Sequence, residues 1–191
     1  MKELLTKRFR EVEQLLNDTL EQSTGSINRA VRMIISAYHE EHGLFLFGNG
    51  GSAADAQHMA GELNGRYLKE RKPLKAQALV CNASTVTCLA NDYGYEQVFS
   101  RQIQANAVSG DIAFGFSTSG NSKNVLEAFK AAKAMGVKTI AMTGRGGGAL
   151  AELADVLIEI PSNFTPHIQE VGVVVYHCIC EQVEKELFPE K

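Results

Sequence analysis

The chain has 191 residues, 45% hydrophobic and 21% charged, which is enough for one domain with a full apolar core and no disulfide staples. A formal net charge of −3 gives no reason to expect nucleic acid or an acidic membrane surface as a partner. The opening MKELLTKRFREVEQLL lacks the apolar core of a signal peptide, and no run approaches the ~20 apolar residues of a membrane span, so a cytoplasmic protein is expected.

From Lys2 to about Leu20, the residues Leu5, Phe9, Val12, Leu16 and Leu20 recur at helical spacing, which predicts an amphipathic helix. Ser23, Thr24, Gly25 and Ser26 read as a break, and Ile27, Val31, Ile34, Ile35 and Tyr38 predict a second helix ending near Gly43. From Leu44 the pattern changes. Apolar runs at 44–48, 76–80, 111–117, 138–144 and 155–161 alternate with helical segments near 52–65, 84–92, 95–108, 122–135 and 148–154. Near-continuous apolar strands joined by helices predict a parallel sheet covered on both faces. A last helix follows Thr165 and Pro166, which suit N-cap and first turn, and runs to about Leu187. The expectation is a single α/β domain: two N-terminal helices over 1–43, whose apolar stripes are buried on the core or, serving oligomerisation, on another copy of the chain, then a binding core over 44–191. Cys81, Cys88, Cys178 and Cys180 form no CxxC pair and read as reduced core thiols. On a helix, Cys178 and Cys180 would point about 200° apart.

Ligands of open parallel sheets bind at the carboxyl ends of the strands. Three strands end there in loops of small residues: 48–52 (GNGGS), 117–122 (STSGNS) and 143–148 (TGRGGG). Backbone N–H groups at a helix start, with hydroxyls beside them, make an anion site. The second loop is the best phosphate candidate, with Ser117, Thr118, Ser119 and Ser122 as donors and Gly120 for close backbone approach. The first loop fits G-x-G-x-x-A, but the next strand ends at Val80-Cys81-Asn82 without the carboxylate a dinucleotide site needs, and no Walker lysine is present, so NAD and ATP are disfavoured.

His58 and Glu62 stand at i, i+4 in the helix after the first loop. That spacing stacks them on one face. They could supply acid–base groups, bind a divalent metal, or form a solvated surface contact. In the last helix Gln169 and His177 lie among Val171, Val173, Val174, Val175 and Ile179, and such a histidine is commonly a hydrogen-bonded core residue. The residues alone reach an anion-binding α/β protein with a candidate His/Glu site.

GNGGSAADAQHMAGELNGRY at 48–67, NDYGYEQVFSRQ at 91–102, GFSTSGNSKNVLEA at 115–128, TGRGGG at 143–148, and IQE at 168–170 followed by His177 together resemble the phosphoheptose isomerases of the SIS (sugar isomerase) fold. The match spans about residues 44–188. The STSGNS loop alone would indicate only an SIS domain; His58, Glu62, Gln169 and His177 point to the isomerase. The resemblance implies a three-layer αβα sandwich with a five-stranded parallel sheet, a homotetramer, and conversion of sedoheptulose 7-phosphate to D-glycero-D-manno-heptose 7-phosphate, the first step towards the heptose of lipopolysaccharide core. By similarity, Asn49, Gly50, Gly51, Glu62, Asn91, Asp92, Ser117, Thr118, Ser119, Ser122 and Gln169 contact substrate. Glu62 and His177 match the acid–base pair. His58, Glu62, Gln169 and His177 match zinc-holding positions, one zinc per subunit. Glu62 cannot readily be both a tight ligand and a free base, and that division of roles is left open.

Gln169 and His177 are eight residues apart in one expected helix, about 12 Å of rise and about 80° of rotation. One zinc could hardly meet both, which predicts active sites shared between chains; the alternative is that Gln169 precedes the helix and folds back. Relatives commonly read Asp-Arg-Ile-Gln-Glu-x-His where this chain has Pro166, His167 and Gly172, an expected change in the pocket wall, and Gly61 replaces an acid. Two rival readings remain. One is a non-enzymatic scaffold of the DnaA initiator-associating type, to which CICEQVEKELFP is similar; that family lacks the glutamate and final histidine kept here. The other is an isomerase of a different phosphorylated ketose.

Overall fold

A computed structural model describes residues 1–189. The chain runs α1 (Lys2–His39), β1 (Leu44–Phe47), α2 (Gly51–Asn64), β2 (Ala76–Ala78), α3 (Ala83–Tyr93), α4 (Ser100–Asn106), β3 (Ile112–Ser117), α5 (Lys123–Ala134), β4 (Lys138–Thr143), β5 (Val156–Glu159) and α6 (Thr165–Leu187), with short 3-10 turns at Tyr95–Gln97 and Gly148–Glu152. The five strands form one parallel sheet in the order β2-β1-β3-β4-β5. The α/β sandwich expected from the alternating pattern is therefore present.

The apolar strand runs serve two cores at once, because successive side chains face opposite ways. Leu44, Leu46, Ile112, Phe114 and Phe116 face one cluster with residues of α1, α2 and α6. Phe45, Phe47, Ala113 and Ala141 face the other, with Phe99 at the N-cap of α4 and Ile103, Val125 and Phe129 from α4 and α5. Leu46, Phe114 and Ile140 lie in register across β1, β3 and β4, and each is fully buried. The strand order reverses at β1 and β3, so their carboxyl ends flank the crevice where such sheets bind ligands.

The two expected N-terminal helices are one. The segment read as a break continues α1 unbroken over 38 residues. A glycine costs a helix roughly 1 kcal/mol, and no proline intervenes. The Thr24 hydroxyl donates to Leu20 O and that of Ser26 to Ser23 O, so both return to the helix backbone. The Ser23 hydroxyl donates to Glu159 O in β5, which ties the supposed break to the sheet. Leu15, Ala30, Val31, Ile34 and Ala37 are buried, whereas Leu4, Leu5, Phe9 and Leu20 stay exposed. At the other end of the chain, α6 begins at Thr165 with Phe164 as N-cap, one residue earlier than expected, and the Ser162 hydroxyl takes the Phe164 N–H. Of the cysteines only Cys180 is buried; Cys81, Cys88 and Cys178 are exposed free thiols, which corrects the expectation of four core residues. No helix among the described residues is long and apolar enough to cross a membrane.

Candidate active site

Helices α2 and α6 pack side by side and bring three side chains together. His58 Nε2 lies 3.1 Å from Glu62 Oε1 and 3.3 Å from His177 Nε2. Donor atoms of all three fall within 4.8 Å of one another, a cluster that can hold a metal ion. The i, i+4 spacing on α2 makes the first contact, and the packing of the helices supplies the second. The pair is thus not an isolated i, i+4 contact, although the His58 side chain remains 46% exposed. His58 is further fixed by Tyr176, whose hydroxyl lies 2.9 Å from Nδ1. With Nδ1 so engaged, Nε2 is turned towards Glu62 and His177. Burial, and next the neighbouring His58, lower the His177 pKa below its ordinary value, with Glu62 opposing. His177 is therefore neutral near pH 7 and able to accept a proton.

The loop after β3 lies at the carboxyl end of the adjoining strand. Ser117 Oγ and Ser122 Oγ are 2.9 Å apart, Thr118 Oγ1 is 3.4 Å from Thr165 Oγ1, and Ser119 Oγ accepts the Asn121 N–H. Ser122 is the N-cap of α5, yet its side chain makes no capping bond. Its hydroxyl, turned to Ser117, lies beside the first N–H groups of α5, an arrangement that can hold an anion. The loop after β4 braces this one: Gly144 N–H donates to Thr118 O, and Leu150 N–H donates to Gly120 O. Gly120 has φ +65°, and a Cβ there would sit 2.0 Å from Gly147 O, so no other residue fits.

Between loop and trio runs a narrow cavity lined by Ser52, Asp55, Ser117, Thr118, Gln169, Gly172 and Tyr176. Burial pushes the Asp55 carboxyl up to about 6, with His58 opposing. Gln169 packs over Gly51, where a Cβ would come within 2.5 Å of its amide. At the end of β1, Asn49 and Asn124 exchange amide hydrogen bonds of 2.8–2.9 Å, and the Tyr95 hydroxyl donates to Asn49 Oδ1.

Residues 8–144 match the model of the SIS domain. A phosphoheptose isomerase of Helicobacter pylori is 44% identical over 182 residues, covering 95% of each chain. Another, from Rhodospirillum rubrum, is 51% identical over 155 residues, 81% of this chain and 82% of its own. The solved structure of phosphoheptose isomerase GmhA from Neisseria gonorrhoeae superposes with a TM-score of 0.91 at 36% identity, over 96% of this chain and 98% of that one. The chain belongs to the phosphoheptose isomerase family.

Within that family's pattern, the structure brings His58, Glu62 and His177 into contact in a single chain, and gathers Asn49, Gly50, Gly51, Ser117, Thr118, Ser119, Ser122 and Gln169 around the crevice. Gln169 lies in α6 proper, so the alternative that it precedes the helix fails, and it stands about 12 Å of helical rise from His177. Asn91 and Asp92 are exposed in the last turn of α3, where the Asn91 amide donates to Asp92 Oδ1, away from the trio. Of Pro166, His167 and Gly172, only Gly172 lines the Gln169 cavity. His167 turns instead towards α1, with Nε2 3.6 Å from Glu11 Oε2. Sequence reasoning missed Asp55, Tyr176, Tyr95 and Asn124. Asp55 carried a usable signal, since 55, 58 and 62 fall at i, i+3 and i+7 on one helical face.

Proposed function

We propose that this protein isomerises sedoheptulose 7-phosphate to D-glycero-D-manno-heptose 7-phosphate, the first step towards the heptose of lipopolysaccharide core, in the cytoplasm. The observation that carries the reading is the contact of His58, Glu62 and His177 beside a four-hydroxyl loop, in a chain of this family. Ser117, Thr118, Ser119 and Ser122 hold the phosphate with the N–H groups that open α5. Asn49, Gly50, Gly51, Gln169, Asn91 and Asp92 contact the sugar. Glu62 takes a proton from C1 of the ketose; the C–H electrons form the C1=C2 bond and the carbonyl pair moves to O2. His177 carries the hydroxyl proton from O1 to O2, and Glu62 returns a proton to C2 to give the aldose. Each transfer needs a base or acid within hydrogen-bond reach of its proton.

His58 and His177, with Gln169 from another chain and with Glu62 when it is not acting as the base, would hold one zinc per subunit. Two imidazole nitrogens and a carboxylate suit that ion, and the Tyr176 hydroxyl on His58 Nδ1 is the outer contact such ligands need. Zinc supplies a Lewis acid for the carbonyl oxygen when bound. The distance between Gln169 and His177 along α6 supports a homotetramer whose sites are shared between chains. The exposed Leu4, Leu5, Phe9 and Leu20 of α1 support assembly through residues 1–43, leaving 44–191 as the sugar-phosphate core of one domain. The test is turnover of sedoheptulose 7-phosphate, with fructose 6-phosphate and ribulose 5-phosphate as comparators. Preference for the heptulose is expected; preference for a comparator would reassign the substrate, and no turnover of any would favour a scaffold.

A further inference from the structure

Below the trio, α2 and α6 are joined a second time. The Arg71 and Glu184 side chains are each 2% exposed and meet at 3.0 Å between Nε and Oε2. Glu184 also accepts three consecutive backbone N–H groups, from Tyr67 at 3.0 Å, Leu68 at 2.8 Å and Lys69 at 2.7 Å. Arg71 spends its remaining donors mainly on the end of α2: Nη2 to Glu62 O at 2.8 Å, and Nη1 to Leu63 O at 2.7 Å and Gly65 O at 2.9 Å, with Lys72 O further off at 3.3 Å. Apart from the contact between the two side chains, these bonds hold the last turn of α2 or the segment that leaves it.

The placement matters because Glu62 lies two residues from the end of α2. The last carbonyls of a helix have no partner within it, so this turn frays unless something else holds it. A guanidinium at a helix C-terminus satisfies them and favours the helix dipole. Glu184 lies seven residues beyond His177, about two turns along the same face of α6. Tyr67, whose N–H is fixed by Glu184, places its ring 5.6 Å from that of His177. Burial raises the Glu184 pKa, but the backbone bonds from Leu68, Tyr67 and Lys69 and the bond from Arg71 outweigh it, so the carboxylate sits below its usual range. It remains charged through the neutral range.

We infer that Arg71 and Glu184 are positioning residues for the isomerisation: they clamp the Glu62 turn of α2 to α6 and so set the reach between Glu62 and His177. Neither touches the crevice that binds phosphate. This inference rests on the assignment of Glu62 and His177 as the proton-transferring pair.

The test is steady-state kinetics on sedoheptulose 7-phosphate for the full-length wild type, Arg71→Lys and Glu184→Gln, with circular dichroism and sizing as folding controls. Arg71→Lys keeps the charge but loses the fork that reaches Glu184 and four carbonyls together. Glu184→Gln keeps the shape and loses the charge. The expected result is a kcat lowered on the order of 10- to 100-fold, the scale of a misplacement near 1 Å. KM should stay within about 2-fold of wild type, as binding groups are untouched. A folded variant with wild-type kcat would overturn the inference. So would losses of kcat and folded fraction in equal proportion, which a purely structural pair would give. Should Arg71→Lys not fold, Glu184→Gln decides by the same outcomes. The wild type separates the two levels: no turnover there overturns the isomerase reading itself, whereas normal turnover with unaffected variants overturns only the clamp.

Discussion

Tyr176 and His58 meet across α6 and α2, hydroxyl to Nδ1 at 2.9 Å. Tyr176 is 1% exposed, so this contact is shielded from water and fixes the imidazole from behind. Its partner is left only Nε2 to offer towards Glu62 and His177.

Tyr176→Phe keeps the ring and removes the hydroxyl. Outer contacts of this kind are worth about 10- to 100-fold in metal affinity. Zinc titration against a chelator should show a loss on that scale in a folded protein. Unchanged affinity would show that the hydroxyl does not orient His58.

Ser119→Ala with Ser122→Ala should weaken sugar-phosphate binding without unfolding the chain. Ser119 is exposed, and Ser122 makes no capping bond. Each lost bond to a charged oxygen costs about 1.5–3 kcal/mol. Calorimetry with sedoheptulose 7-phosphate measures it, and wild-type affinity in the double variant would remove this loop from the phosphate site.

The pH profile follows from His177, whose pKa burial and His58 set below the usual imidazole value. Protonation disables it as an acceptor, so kcat/KM should hold through neutrality and fall only on the acid side of about 6.5. Because kcat/KM reports the free enzyme, an acid limb centred above 7 contradicts this assignment.

Shared sites predict complementation. Gln169→Ala and His177→Ala proteins, each inactive alone, should regain some activity when their subunits exchange, because some mixed sites hold both wild-type residues. No recovery despite verified exchange would place the whole site within one chain.

Much of this architecture was legible in the residues. The apolar runs located all five strands, because strands buried on both faces must be apolar throughout. The join in α1 was not, since the bond that holds Ser23 reaches Glu159 O in β5, and no local pattern encodes a partner 136 residues away. His58 and Glu62 were visible by spacing, but whether they met a third group depended on how α2 packs against α6. Tyr176 hid among the apolar residues of α6, where an aromatic ring reads as core. It is core, and its hydroxyl reaches the site from there. Arg71 carried no signal, because a charged residue between two elements ordinarily stays in water.

The central claim is proton transfer at C1 and C2 of a heptulose phosphate by Glu62, and proton NMR in deuterium oxide tests it most directly. The Glu62 side chain is 25% exposed, so the proton it takes can exchange with solvent before it returns. Wild-type protein with sedoheptulose 7-phosphate should yield the aldoheptose 7-phosphate carrying deuterium at C2. Glu62→Gln, folded, should be slower by roughly 100- to 10,000-fold, as expected for loss of a general base. No aldoheptose from the wild type, or undiminished deuterated product from Glu62→Gln, would contradict the account.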